Sequence, residues 1–82
     1  MEGLLSLTIV SPNGVLFEGK VKYIHLPGVM GQFTILPLHA PLITQLCKGV
    51  ITFHEIDTKK EIDIKGGFIE VKHDVVSVCV EQ

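Results

Sequence analysis

Arginine and tryptophan are absent, and alanine and tyrosine occur once each, as Ala40 and Tyr23. Arginine's planar fork is the usual reader of phosphates and base edges. Its absence, with no basic run among the 7 lysines, argues against nucleic-acid recognition. With alanine nearly gone, little favours helix, whereas 10 Val and 9 Ile carry β-branched side chains suited to a pleated, half-buried surface. The two cysteines, Cys47 and Cys79, form no CxxC, and no signal-peptide pattern precedes them. We read them as reduced thiols packed as small hydrophobes, as in a cytosolic protein, with a single disulfide left open. No apolar run approaches the roughly 18 residues that a membrane helix needs, so any membrane role is expected to be peripheral.

What is present is a short, apolar chain. Its 82 residues allow one small domain, and 46% of them are apolar, with a net charge of −2. A domain of this size buries only about 60% of the surface its unfolded chain exposes. Apolar surface left outside such a core usually marks a partner.

Short apolar runs alternate with turn residues at close spacing, the pattern of an all-β sandwich or barrel. Leu5, Leu7 and Ile9 alternate with Ser6 and Thr8 in a first strand, closed by the turn Ser11-Pro12-Asn13-Gly14. A second strand is expected over Val15 to Glu18, ended by Gly19, and a third over Val21 to Leu26. Pro27 to Gly31 reads as a loop, and Gln32 to Leu36 as extended chain. Pro37-Leu38-His39-Ala40-Pro41 is excluded from a central strand because two prolines would remove ladder donors. Leu42 to Lys48 and Val50 to Ile56 follow, separated by Gly49, and Asp57 to Lys60 forms a polar tip. Glu61 to Lys65 returns from the tip, Gly66-Gly67 marks a bend or bulge, and Phe68 to Lys72 continues. A His73-Asp74 turn and a strand over Val75 to Val80 complete the chain. No segment reads as a helix, repeat or linker.

No catalytic constellation is present: there is no GxSxG, P-loop or HExxH, and the four histidines lack metal-ligand spacing. We therefore expect no catalytic residues, no metal and no cofactor. His25 and His54 read as strand-face residues and His73 as a solvated turn residue. His39, between two prolines, reads either as bonding a loop carbonyl or as touching a partner. Gly28 to Gly31 lacks the lysine and helix start of a phosphate cradle, so it reads as a tight turn that exposes Val29 and Met30. Lys59, read at a hairpin tip, raises the alternative of a lipoyl- or biotinyl-type carrier domain. Its neighbours Thr58 and Lys60 are not those such domains use, and a solvated lysine blunting a sheet edge is the commoner case. A ligand-binding β-sandwich is a third possibility, since fold alone does not fix function.

Three stretches carry a resemblance. Leu7-Thr8-Ile9-Val10-Ser11-Pro12, followed by Phe17-Glu18-Gly19, resembles the opening of epsilon subunits of bacterial F-type ATP synthases. Leu26-Pro27-Gly28, Gly31, Ile35-Leu36-Pro37 and His39-Ala40-Pro41-Leu42 resemble that family's most distinctive loop and strand. Gly66-Gly67-Phe68-Ile69-Glu70-Val71 resembles its second signature. The motifs follow the family's order and spacing and cover nearly the whole chain.

The resemblance implies a flattened, ten-stranded β-sandwich and a non-catalytic place in the central stalk, or rotor. There the domain clamps the gamma subunit and rests on the c-ring of Fo, so that ion flow is coupled to ATP synthesis. It implies a peripheral location on the cytoplasmic face of the bacterial inner membrane. By position, Gly28, Val29, Met30, Gly31 and Gln32 match the ring-facing loop. Ser11, His39 and Thr44 match gamma-facing positions, and Pro37, Ala40, Pro41, Gly66 and Gly67 match structural motif positions. The family often has an acid where Gln32 stands and a small residue where Thr34 or Leu38 stands. Many members continue into a C-terminal helical hairpin that inhibits ATP hydrolysis, whereas this sequence stops at Gln82. The Met1 start supports a natural chain, so the expectation is one domain over residues 1–82 with no C-terminal helical domain and no hairpin-mediated inhibition.

Overall fold

The computed structural model describes residues 3–82, and these form nine strands with no helix. Residues 1 and 2 of the domain expected over 1–82 lie outside the described residues. The strands are β1 (Leu5–Ser11), β2 (Gly14–Val21), β3 (Tyr23–Gly28), β4 (Gly31–Ile35), β5 (Leu42–Leu46), β6 (Gly49–His54), β7 (Lys59–Ile64), β8 (Gly66–Lys72) and β9 (Val75–Glu81). They pair in the order β2-β1-β9-β8-β5-β3-β6-β7, with β4 on β3. One long sheet thus curls over on itself and encloses its core as a sandwich.

Period-two alternation explains the core. Leu5, Leu7 and Ile9 are all but fully buried, while the residues between them face out. The same alternation in β8 and β9 buries Ile69, Val71, Val76, Val78 and Val80. Ile24, Leu26, Ile51 and Phe53 line the opposite wall. No polar side chain is buried among the described residues. Burying each aliphatic side chain of this kind is worth about 1.5–3 kcal/mol before the entropy of ordering is counted. Phe17 of β2 packs on Phe53 of β6 with ring centroids 4.5 Å apart, and Lys60 Nζ lies 5.3 Å from the Phe17 ring centroid. β2 and β7, the two ends of the sheet order, therefore meet across these side chains and close the curl.

Several expected boundaries move, and pairing explains each. Gly19 does not end the second strand, because it pairs with Leu7 and β2 runs on to Val21. Val21 belongs to β2 rather than the third strand. A bend at Lys22, whose N–H donates to the His54 carbonyl at 2.7 Å, lets Val21 and Ile24 both face the core. Pro27 and Gly28, expected in a loop, end β3, and the loop shrinks to Val29-Met30. Pro27 keeps a ladder role through its carbonyl, which accepts from the Cys47 N–H at 2.8 Å. Lys59 and Lys60, expected at a tip, open β7 opposite His54 and Phe53.

The resemblance implied ten strands, and the described residues form nine. β2 is unbroken, and residues 37–41, with two prolines and a positive φ of 69° at Leu38, join no ladder. One pairing is parallel, β1 with β9, and it brings the end of the chain beside its beginning. At Gly67 the ladder comes so close that a Cβ there would lie 2.1 Å from the Cys79 carbonyl oxygen. Among the described residues no helix is long and apolar enough to cross a membrane.

Candidate functional site

The β3–β4 hairpin carries one end of the site. Its register pairs Gly28 with Gly31 and Pro27 with Gln32, so Val29 and Met30 occupy the tip. Met30 is 94% exposed and Val29 is half exposed. An apolar tip without charge is costly to solvate, and the ladder holds it rigidly out from the sheet.

The hairpin forms one wall of a groove of about 350 Å³, lined by Met30, Gly31, Gln32 and Phe33 on one side and His39 and Thr44 on the other. Gly28, itself buried, lies at its base. Residues matched to a ring-facing loop and residues matched to gamma-facing positions thus share one groove. His39 Nδ1 lies 2.7 Å from the Ala40 carbonyl oxygen, which can only accept, so Nδ1–H is the donor. Pro37 is half-buried, and Ala40 and Pro41 are exposed in the same segment.

Ser11 is not in that groove. It lines a second, larger one of about 740 Å³ on the outer side of β1, β9, β8 and β5, with Val10, Ile43, Thr44 and Phe68. Ser11 Oγ accepts the Asn13 N–H at 3.2 Å, which fixes the β1–β2 turn at its rim. Cross-strand pairing sets Val10, Cys79, Phe68 and Gln45 in one row, and Thr8, Ser77, Glu70 and Ile43 in the next. Ile43 is 73% exposed and Phe68 52%. Thr44 borders both grooves, which lie on opposite sides of β5. Gly66 and Gly67 open β8, and Gly67 borders the larger groove beside Phe68.

Residue-by-residue reading did not single out Val10, Ile43, Phe68 and Cys79 as site residues. The available signal was parity: in β5 and β8 the core takes Leu46, Ile69 and Val71, so Ile43 and Phe68 fall on the side where a soluble sheet carries polar residues.

The remaining candidates lie elsewhere. His25 bonds Thr34 Oγ1, and His54 stacks on Tyr23 with centroids 4.9 Å apart, so both are outward strand-face residues. His73 is an exposed turn residue. Cys47 and Cys79 are free thiols. Among the described residues no group of three or more His, Cys, Asp or Glu side chains could hold a metal. Lys59 stands in the ladder with its Nζ 3.9 Å from a Glu61 carboxylate oxygen, not at a turn apex as a carrier lysine would.

Residues 4–82 match the family model described as ATP synthase, Delta/Epsilon chain, beta-sandwich domain. An ATP synthase epsilon chain of Leptospira borgpetersenii is 40% identical over 77 residues, which are 94% of this chain and 61% of that protein. One of Wolinella succinogenes is 44% identical over 80 residues, 98% of this chain and 60% of that protein. The chain thus spans about three fifths of the length of the curated relatives it matches. Among solved structures, a chain in the Euglena gracilis mitochondrial ATP synthase (OSCP, F1 and c-ring) aligns with a TM-score of 0.89. The alignment covers 96% of this chain and 51% of that one at 23% identity, a likeness of fold. With nine curled strands among the described residues, an enclosed apolar core and a family match from residue 4 to the last residue, the chain belongs to the beta-sandwich domain family of ATP synthase delta and epsilon chains.

Proposed function

We propose that this domain is a non-catalytic rotor piece of an F-type ATP synthase, binding the gamma subunit and the c-ring so that ion flow is coupled to ATP synthesis. In this reading it lies peripherally at the cytoplasmic face of a bacterial inner membrane. Gamma takes the Ser11 and Ile43–Phe68 face and wraps the β5 border to Thr44 and His39. The ring meets the hairpin tip at Val29, Met30 and Gln32. The observation that carries the reading is a pair of grooves that share Thr44 of β5 as a border, one holding an apolar sheet face and the other an apolar hairpin tip. A coupling element must hold two partners at fixed separation. A sheet closed on its own core supplies that rigidity, because packed interiors resist deformation.

The test is co-expression with the gamma subunit of the same organism, followed by size-exclusion chromatography. Co-elution one to one is expected, abolished by H39D combined with T44D and retained by M30D, which instead weakens association with the purified c-ring. Separate elution of the unaltered chain at micromolar concentration would overturn the gamma assignment. Equal loss of gamma from M30D would overturn the division of the surface.

A further inference from the structure

Leu38 is a strained residue in an otherwise ordinary loop. It is a leucine at φ 69°, in the left-handed region that a branched side chain rarely enters, and 91% of it is exposed. Neither solvation nor packing of its side chain rewards that conformation. The compensation is at its backbone: the Leu38 N–H donates to Asp74 Oδ1 at 2.7 Å, across 36 residues of sequence. Hydrogen bonds to a carboxylate are the shorter and stronger kind.

Asp74 is itself fixed. With His73 it forms the centre of the β8–β9 hairpin, both residues having positive φ (52° and 61°), the requirement of a type I′ turn. The rest of the Leu38 loop has little freedom. Pro37 and Pro41 have locked φ, and Ala40, preceding Pro41, is held in the extended region. His39 is tied to the Ala40 carbonyl. Leu38 is the joint with the strained φ, and the Asp74 carboxylate holds it.

We propose that Asp74 is a positioning residue that holds the residue 37–41 loop ready for the gamma subunit, acting through the Leu38 amide and not by touching the partner. This rests on the reading of His39 as gamma-facing. A loop frozen before docking avoids the entropy of ordering at the moment of binding, which raises affinity without a new contact.

Asp74→Gly tests it without harming the turn, because glycine enters the left-handed region freely. Two measurements are made: hydrogen exchange at the Leu38 and His39 amides of the free chain, and gamma affinity by titration calorimetry. With the clamp removed, exchange at Leu38 is expected to rise about tenfold and affinity to fall about tenfold, in keeping with the strain that must be held at a left-handed leucine. Asp74→Asn keeps an acceptor oxygen and is expected to stay within about threefold of the unaltered chain on both measurements. In a chain whose Leu38 amide is replaced by an ester, which leaves no N–H to clamp, Asp74→Gly is expected to change affinity less than about twofold.

Unchanged exchange at Leu38 in Asp74→Gly would overturn the proposal, as would faster exchange with unchanged affinity. An equal affinity loss in the ester background would overturn it too, since Asp74 would then act on gamma by a route other than the Leu38 amide. If the unaltered chain binds no gamma, the rotor reading and the docking role fall together, while the exchange rates still report whether Asp74 holds the loop.

Discussion

Phe68→Ala measures how much of the docking energy lies on the outer sheet face. In the free domain Phe68 is 52% exposed, between Cys79 on one side and Gln45 on the other, with Ile43 on the diagonal. A phenylalanine carries on the order of 200 Å² of buriable surface, so about 100 Å² remains to be covered by a partner. At about 25 cal/mol per Å², covering it is worth about 2.5 kcal/mol, close to seventyfold in affinity. Because the side chain points away from the core, its truncation should cost the isolated fold about 1 kcal/mol or less. The two effects separate cleanly: urea unfolding reports the fold, and calorimetry with gamma at several temperatures reports the interface. Binding by the unaltered chain should show a negative heat-capacity change, reduced in the variant, since apolar burial is its source. An affinity within about threefold of the unaltered chain, with an unchanged unfolding midpoint, would refute the assignment of this face to gamma.

Two further perturbations test other parts of the account. Gly67 and Gly14 have similar positive φ values of 147° and 130°, yet a Cβ at Gly67 would lie 2.1 Å from a backbone oxygen whereas one at Gly14 meets nothing within 4 Å. Gly14→Ala should therefore cost only the backbone strain, about 1–3 kcal/mol, and Gly67→Ala should lower the urea midpoint much further by forcing β8 from β9; equal costs would show that the ladder yields to the clash. Gln32→Glu should tighten association with a c-ring whose loops are basic in about 0.01 M salt and lose that gain in about 1 M salt, as the screening length falls from about 30 to about 3 Å, while the unaltered chain stays nearly salt-independent; a steep salt dependence without the added charge would put the ring contact on another charged residue.

How far the molecule was legible depends on the range of the signal. Alternation is local, so Leu5, Leu7 and Ile9 announce a half-buried strand from three positions, and the core wall they form is present. Boundaries are not local. Gly19 looks like a stop until Leu7 pairs with it, and Pro27 looks like a loop residue until its carbonyl takes the Cys47 amide. The left-handed leucine at position 38 could not be read from its neighbours, because the group that stabilises it stands 36 residues away.

The site divides the same way. Its loop residues, such as His39 and the Val29-Met30 tip, are visible as constrained or apolar turn chemistry in a short stretch of chain. Its sheet residues depend on which strands become neighbours, and the β1-β9-β8-β5 order, with its parallel step, lines up Val10 of the first strand with Cys79 and Phe68 of the last hairpin. Even so, part of that face was implied. Leu42 and Ile43 are adjacent in one strand, and adjacent strand residues point to opposite sides, so they cannot both enter the same core. Leu42 packs against the core, which leaves Ile43 to face out. The same parity conflict arises at Phe68 and Ile69, where Ile69 is wholly buried. Two such conflicts on neighbouring, paired strands direct the surplus apolar side chains to the same side of the sheet, and surplus at one place is what distinguishes a docking face from scattered surface hydrophobes.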